Sequence, residues 1–325
     1  MACRAATRLI VSDTPTSLPP TPTVTLPPPT PTQAASCPNE TASILDAANQ
    51  PVSTSGNFPN VDTGNNVDLL LVTYAVNGDT LGDPRLKTVP KNLKKYQDDV
   101  QTQKKAWDLF TALIPADRRQ MLAKYQVITD GKGDILAVVE QTTDNPDKWI
   151  LEIDIADMGD TKNLVFTLLH EFGHLLTLNA SQVPPDLKIF KHPDNDLIYN
   201  QEALACHSYF PGEGCSLPAS YINTFFDRYW TSLYEEWQVI DNIENDNKRQ
   251  DKLDTFFQKY KDQFVDDYAV TNPSEDIAET WAYFVLDPRP QTDAIADQKV
   301  LFFYQYPELV QVREQILQNL CKVQP

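Results

Sequence analysis

No run of about eighteen apolar residues occurs in the sequence, so nothing in it reads as a membrane-spanning helix. The first ten residues, MACRAATRLI, carry two arginines and no apolar stretch, which excludes an intact signal peptide. Either the chain is cytoplasmic or its export signal has been removed. Positive charge is also scarce. The 27 Lys and Arg stand against 45 Asp and Glu, a formal net charge of −18. Such a surface repels phosphate backbones and excludes nucleic acid as a partner. Internal repeats are absent. There are only four histidines, His170, His174, His192 and His207, so two of them at metal-ligand spacing carry weight.

What is present suffices for a sizeable core: 325 residues, 41% of them hydrophobic. Five cysteines divide into two pairs and a remainder. Cys206 and Cys215 flank HSYFPGEG, a loop that a disulfide could close, and Cys37 and Cys321 lie at the two ends of the folded part. Two such bonds imply an oxidising compartment. Cys3 is left over. A cysteine near the start and ahead of a tether resembles the lipid-bearing first residue of a mature bacterial lipoprotein. The expectation is therefore an extracytoplasmic protein, secreted or tethered at the cell surface, with membrane contact only through a lipid on Cys3.

Residues 14–36 form a Pro/Thr tract with almost no charge. Proline removes donors and favours extended polyproline II, so this segment builds no core and reads as a semi-rigid spacer. Residues 1–36 are thus a tether, and 37–325 the folded domain. Within it, 67–76 is strand-like and 92–113 helical, with Leu93, Tyr96, Val100, Ala106, Leu109 and Phe110 near one face. Pro115 opens a second short helix. Three strands follow, 125–129, 135–141 and 149–155, with Gly131 and Gly133 between the first two as in a hairpin. A helix from about Thr161 to Leu178, capped by Asp160 or Thr161, is apolar nearly all round and so is buried. Then comes a Pro/Asn-rich segment, 179–218, and helices over 219–242, 248–262, 274–285 and 307–320. Strands and helices first and helices afterwards give an α+β fold, a small mixed-sheet lobe (37–178) and a helical lobe (179–325) with the buried helix between them.

That helix carries His170-Glu171-Phe172-Gly173-His174. Residues i and i+4 share a face, so both imidazoles can reach one zinc ion, and Glu171 stands beside the open position as a base for a zinc-bound water. Two histidines and a glutamate on an apolar helix would be costly without partners. A catalytic zinc needs a third protein ligand. A histidine six residues on is excluded, because position 180 is Ala180, and Thr177 stands where a glycine would precede it. The remaining sources are His192, His207, Cys206 or a downstream carboxylate. The best downstream segment is 267–282, DYAVTNPSEDIAETWA, where Pro273 starts a helix and Glu275 and Glu279 lie i, i+4 on one face. Glu279 or Asp276 could serve in place of Glu275.

HEFGH followed by Tyr-x6-Glu-x3-Glu resembles the gluzincin metallopeptidases, especially the catalytic domain of anthrax lethal factor and the Pro-Pro endopeptidase group. The likeness covers about a fifth of the chain. It implies a zincin-like fold, one catalytic Zn2+, Glu275 as third ligand, Tyr268 as donor to the oxyanion, and Glu279 orienting a ligand histidine. About a hundred residues separate His174 from Glu275, longer than in the lethal-factor group, so 179–265 reads as an insertion. In zincin folds an edge strand beside the metal helix aligns the substrate, whereas the strand at 149–155 reads as a core strand. The function expected is a monomeric zinc endopeptidase acting on protein or peptide substrates. Its alternatives are a non-catalytic zinc-containing surface-binding protein and a secreted toxin-like protease with one narrow target.

Overall fold

Proline at a first turn and apolar spacing set the opening helix of the computed structural model, which describes residues 37–49, 69–131 and 135–323. This is α1 (Pro38–Ala48). The six strands are β1 (Leu69–Asn77), β2 (Thr80–Leu81), β3 (Arg85–Leu86), β4 (Leu122–Thr129), β5 (Ala137–Gln141) and β6 (Trp149–Asp154). They lie in the order β2-β1-β4-β6-β5, with β3 also on β1. β1 and β4 are antiparallel, β4 and β6 parallel, and β5 ends the sheet as an antiparallel edge strand on β6.

The hairpin expected between 125–129 and 135–141 does not form, because β6 lies between those strands. Five of the six β6 residues are buried, and a strand covered on both faces belongs inside a sheet. Gly131 still turns the chain, at φ 83; Gly133 lies outside the described residues. The helix expected over 92–113 is split into α2 (Lys94–Gln97) and α3 (Val100–Leu113). Asp99 restarts it by accepting from the Thr102 N–H at 3.0 Å, while the Gln97 amide donates to the carbonyls of Leu71 and Lys87. Val100 is exposed rather than on the apolar face. The helix expected from Pro115 shortens to one 3-10 turn, Ala116–Arg118, since β4 pairs with β1 and β6 from Leu122 onward.

α4 (Thr161–Leu178) follows the sheet, and all later elements are helical: α5 (Leu187–Lys191), α6 (Asp196–Ala205), α7 (Tyr221–Tyr229), α8 (Tyr234–Asp241), α9 (Asp246–Tyr260), α10 (Pro273–Leu286), α11 (Ile295–Phe303) and α12 (Pro307–Val323). The architecture is mixed α+β, as expected. The segment 179–218 is not structureless. Asp186 and Asn195 cap α5 and α6 through their side chains. The single helix expected over 219–242 breaks near Trp230, whose buried indole N–H donates to Asp276 at 2.7 Å. α1 and α11 were not anticipated.

α4 packs against β5, α1 and α10, which explains why it is apolar on every side. Both cysteine pairs are bonded, Cys37–Cys321 and Cys206–Cys215. Two disulfides point to an oxidising, extracytoplasmic environment. Among the described residues no helix is long and apolar enough to cross a membrane. The tether 1–36, with Cys3 and the Pro/Thr tract, lies outside the described residues.

Candidate metal centre

The Asp160 carboxylate accepts from the Asn163 N–H at 3.1 Å and so fixes where α4 begins. From that start, ten to fourteen residues on, His170 and His174 stand one turn apart, both buried. The partner helix, α10, is set in the same way. The Asn272 side chain accepts from the N–H groups of Ser274 and Glu275 at 2.8 and 3.0 Å, and Pro273 occupies the first turn. Glu275 and Glu279 therefore share the face of α10 that meets α4. Asp276 points elsewhere. It bonds Lys299 at 2.6 Å and the Trp230 indole, all three fully buried, so it is not a ligand to the same site.

His170 Nε2, His174 Nε2 and a Glu275 oxygen form a small triangle. The nitrogens are 3.0 Å apart, and the oxygen lies 3.0 and 3.2 Å from them. Three ligands of a tetrahedral ion at about 2.0–2.1 Å stand roughly 3.3 Å from one another, so this triangle is a slightly contracted version of such a site. The chemistry of the donors agrees. His170 Nδ1 bonds the Glu279 carboxylate, which accepts only, so the ring proton sits on Nδ1 and Nε2 presents a lone pair. His170 Nε2, His174 Nε2 and the Glu275 carboxylate therefore converge on one point, where a positive charge is stabilised. Burial alone would lower the His170 pKa, yet the charge of Glu279 and the hydrogen bonds of Glu275 and Glu279 hold it well above its ordinary value. Burial raises the Glu275 carboxyl, but the two histidines outweigh it and hold that pKa well below the usual range. The pocket stabilises a cation, whether a proton or a metal ion. His170, His174 and Glu275 fit a bound metal.

Behind this triangle stands a residue that sequence reasoning missed. Asp266 hydrogen-bonds Glu279, and burial together with the Glu279 charge pushes its pKa well above the usual carboxylate range. A protonated Asp266 donates to Glu279, and Glu279 receives the His170 proton. Asp266 lies one residue outside the segment 267–282, and only proximity in the fold marks it.

Glu171 is buried beside the triangle. Its Oε2 accepts from the Val139 N–H of edge strand β5 at 2.9 Å. Burial raises its pKa, with the two histidines opposing. No side-chain pattern could have revealed Val139, since its contribution is backbone. The Tyr268 ring lies edge-on to His170, centroids 5.7 Å apart. The residue is half exposed, but desolvation of its hydroxyl and then the charges of Glu275, Glu171 and Glu279 raise its pKa, so it stays a donor. The other ligand candidates fall away. His192 and His207 are exposed, and Cys206 is held in its disulfide.

His170, Glu171, His174, Tyr268, Glu275 and Glu279 open into one cleft of about 1460 Å³, which is also lined by β5 and by residues of α6, α8 and the Cys206–Cys215 loop. A separate carboxylate group, Asp130, Asp154 and Asp157, has oxygens within 4.8 Å of one another at the ends of β4 and β6. Backbone N–H groups of Asp130 and Ala156 already bond Asp154, at 2.8 and 2.7 Å. Compared with protein-family models, with curated proteins and with solved structures, the chain matches none of them.

Proposed function

We propose that this protein is a zinc-dependent endopeptidase of zincin-like fold, of the gluzincin kind, secreted or held at a cell surface. The observation that carries the reading is the convergence of His170 Nε2, His174 Nε2 and the Glu275 oxygen beside a buried Glu171. A zinc ion held by those three groups would supply a Lewis acid and an acidified water.

The chain's own residues have distinct tasks. Glu171 is the base. Its raised pKa strengthens it as an acceptor, and the Val139 N–H fixes its carboxylate in place. It takes the proton from the attacking water and returns it to the leaving amine. Tyr268 keeps its proton and offers it as a hydrogen bond to the oxyanion that develops on the scissile carbonyl. Glu279, backed by Asp266, orients His170 and raises its basicity. β5, the edge strand beside Glu171 among the described residues, would pair with an extended peptide.

The test is cleavage of a peptide library by the zinc-loaded chain and by Glu171→Ala loaded to the same extent. The expected result is hydrolysis by the first that falls by at least about a thousandfold in the second. A wild type that holds zinc and cleaves nothing would instead favour a non-catalytic binding protein.

A further inference from the structure

The half of the cleft built by 179–265 has a chemistry of its own. Tyr199 from α6 meets Phe210 edge-on at 5.3 Å, and its hydroxyl lies 3.7 Å from where a Cβ on Gly212 would stand, next to Glu213. From α8, Tyr234 stacks on Trp237 at 5.4 Å, with planes 12° apart. Asp241 closes the same helix, and Tyr199, Tyr234, Glu213 and Asp241 all line the cleft. His174 lines the same cleft. This aromatic-walled space therefore shares one cleft with the metal triangle. Among the described residues lining the whole cleft there are seven carboxylates and no lysine or arginine. Arg249, whose charge acts on Asp241, is already engaged with Asp246 at 2.9 Å and the Ile243 carbonyl at 3.4 Å.

Of the cleft residues, His174 is nine-tenths buried. Its Nδ1 has no hydrogen-bond partner among the described residues, unlike His170 Nδ1. Glu213 and Asp241 are exposed to the cleft, where their charges are open to a cation.

We infer that Tyr199, Tyr234, Glu213 and Asp241 form a subsite for a basic side chain, so that the substrates are peptides carrying Lys or Arg beside the scissile bond. The aromatic faces take the aliphatic stem and the cation, and the two carboxylates neutralise its charge. The substrate class rests on the peptidase reading, but the subsite binds whether or not a bond is cut.

Two hexapeptides that differ only in a central Lys or its uncharged isostere norleucine separate the two ideas. Their binding is measured by calorimetry on Glu171→Ala protein, with and without Glu213→Gln and Asp241→Asn, and their cleavage on the wild type. The Lys peptide should bind about tenfold or more tightly than its isostere, and the preference should vanish in the doubly substituted pocket. Rising ionic strength should shrink that preference in the unsubstituted pocket, a readout that does not require the variants to fold. Equal binding of the two peptides, or a preference indifferent to both salt and substitution, overturns the subsite. Selective binding without cleavage leaves the subsite standing and removes the peptidase; cleavage without selectivity does the reverse.

Discussion

Gly173 leaves the space that Ala278 occupies. A Cβ on Gly173 would lie 2.9 Å from the Ala278 Cα and 3.1 Å from its carbonyl oxygen. This contact between α4 and α10 brings the two halves of the metal triangle within reach of each other. Gly173→Ala must push backbone against backbone, which costs about 1–3 kcal/mol. The expected outcome is a lower unfolding midpoint and weaker zinc binding together. Stability lost with zinc affinity unchanged would show that the helix spacing does not set the site.

Glu275 and Glu279 share a helix face, but Glu275 meets the Nε2 atoms of both histidines and Glu279 the Nδ1 of His170. Removing a ligand should cost more than removing the group that orients one, for which about 10–100-fold in metal affinity is usual. Glu275→Ala should therefore weaken zinc binding by more than Glu279→Ala, with Asp266→Ala a smaller effect still. Competition titrations with a chelator give the order directly. Equal and negligible losses would sink the gluzincin assignment.

Lys299 and Asp276 are both fully buried, and the Lys299 ammonium also lies 3.9 Å from the Phe264 ring centroid. Lys299→Met strands the Asp276 charge on the turn that carries Glu275, at a cost of about 3–5 kcal/mol. Asp276→Asn combined with Lys299→Met should recover much of that loss. Denaturant unfolding of the single and double variants makes the comparison.

Burial raises the Asp154 carboxyl to about 7 from 3.8, against the backbone hydrogen bonds that lower it. Between those values the folded chain binds a proton that the unfolded chain has released. Stability from this group is therefore present below the unfolded value and falls as pH rises toward about 7, by at most about 1.4 kcal/mol per pH unit. Asp154→Asn should flatten that part of the stability profile. An unchanged slope would assign the pH dependence to other groups.

Residues that chemistry requires were the most legible in the sequence. His170, Glu171 and His174 sit on a helix whose start at Asp160 could be read from one capping residue, and the i, i+4 pair Glu275 and Glu279 was visible on the next. The cysteine pairs were legible from their places along the chain. What escaped depends on contacts between distant segments. β6 entered the sheet between β4 and β5 because of burial on both faces, which spacing does not encode. Helix 92–113 broke at Asp99, and the 3-10 turn after Pro115 gave way to strand pairing. Asp266, the Val139 N–H and the aromatic wall at Tyr199 and Tyr234 belong to the site only through the fold. The proposed function rests on side-chain chemistry and on the resemblance of its motifs.

The most direct measurement is an anomalous difference map at the zinc edge from crystals grown with one equivalent of zinc per chain. One peak should stand within about 2.0–2.2 Å of His170 Nε2, His174 Nε2 and a Glu275 oxygen, with a fourth position open toward Glu171. A map without that peak, or with zinc only among Asp130, Asp154 and Asp157, would contradict the metal centre and the hydrolytic chemistry built on it.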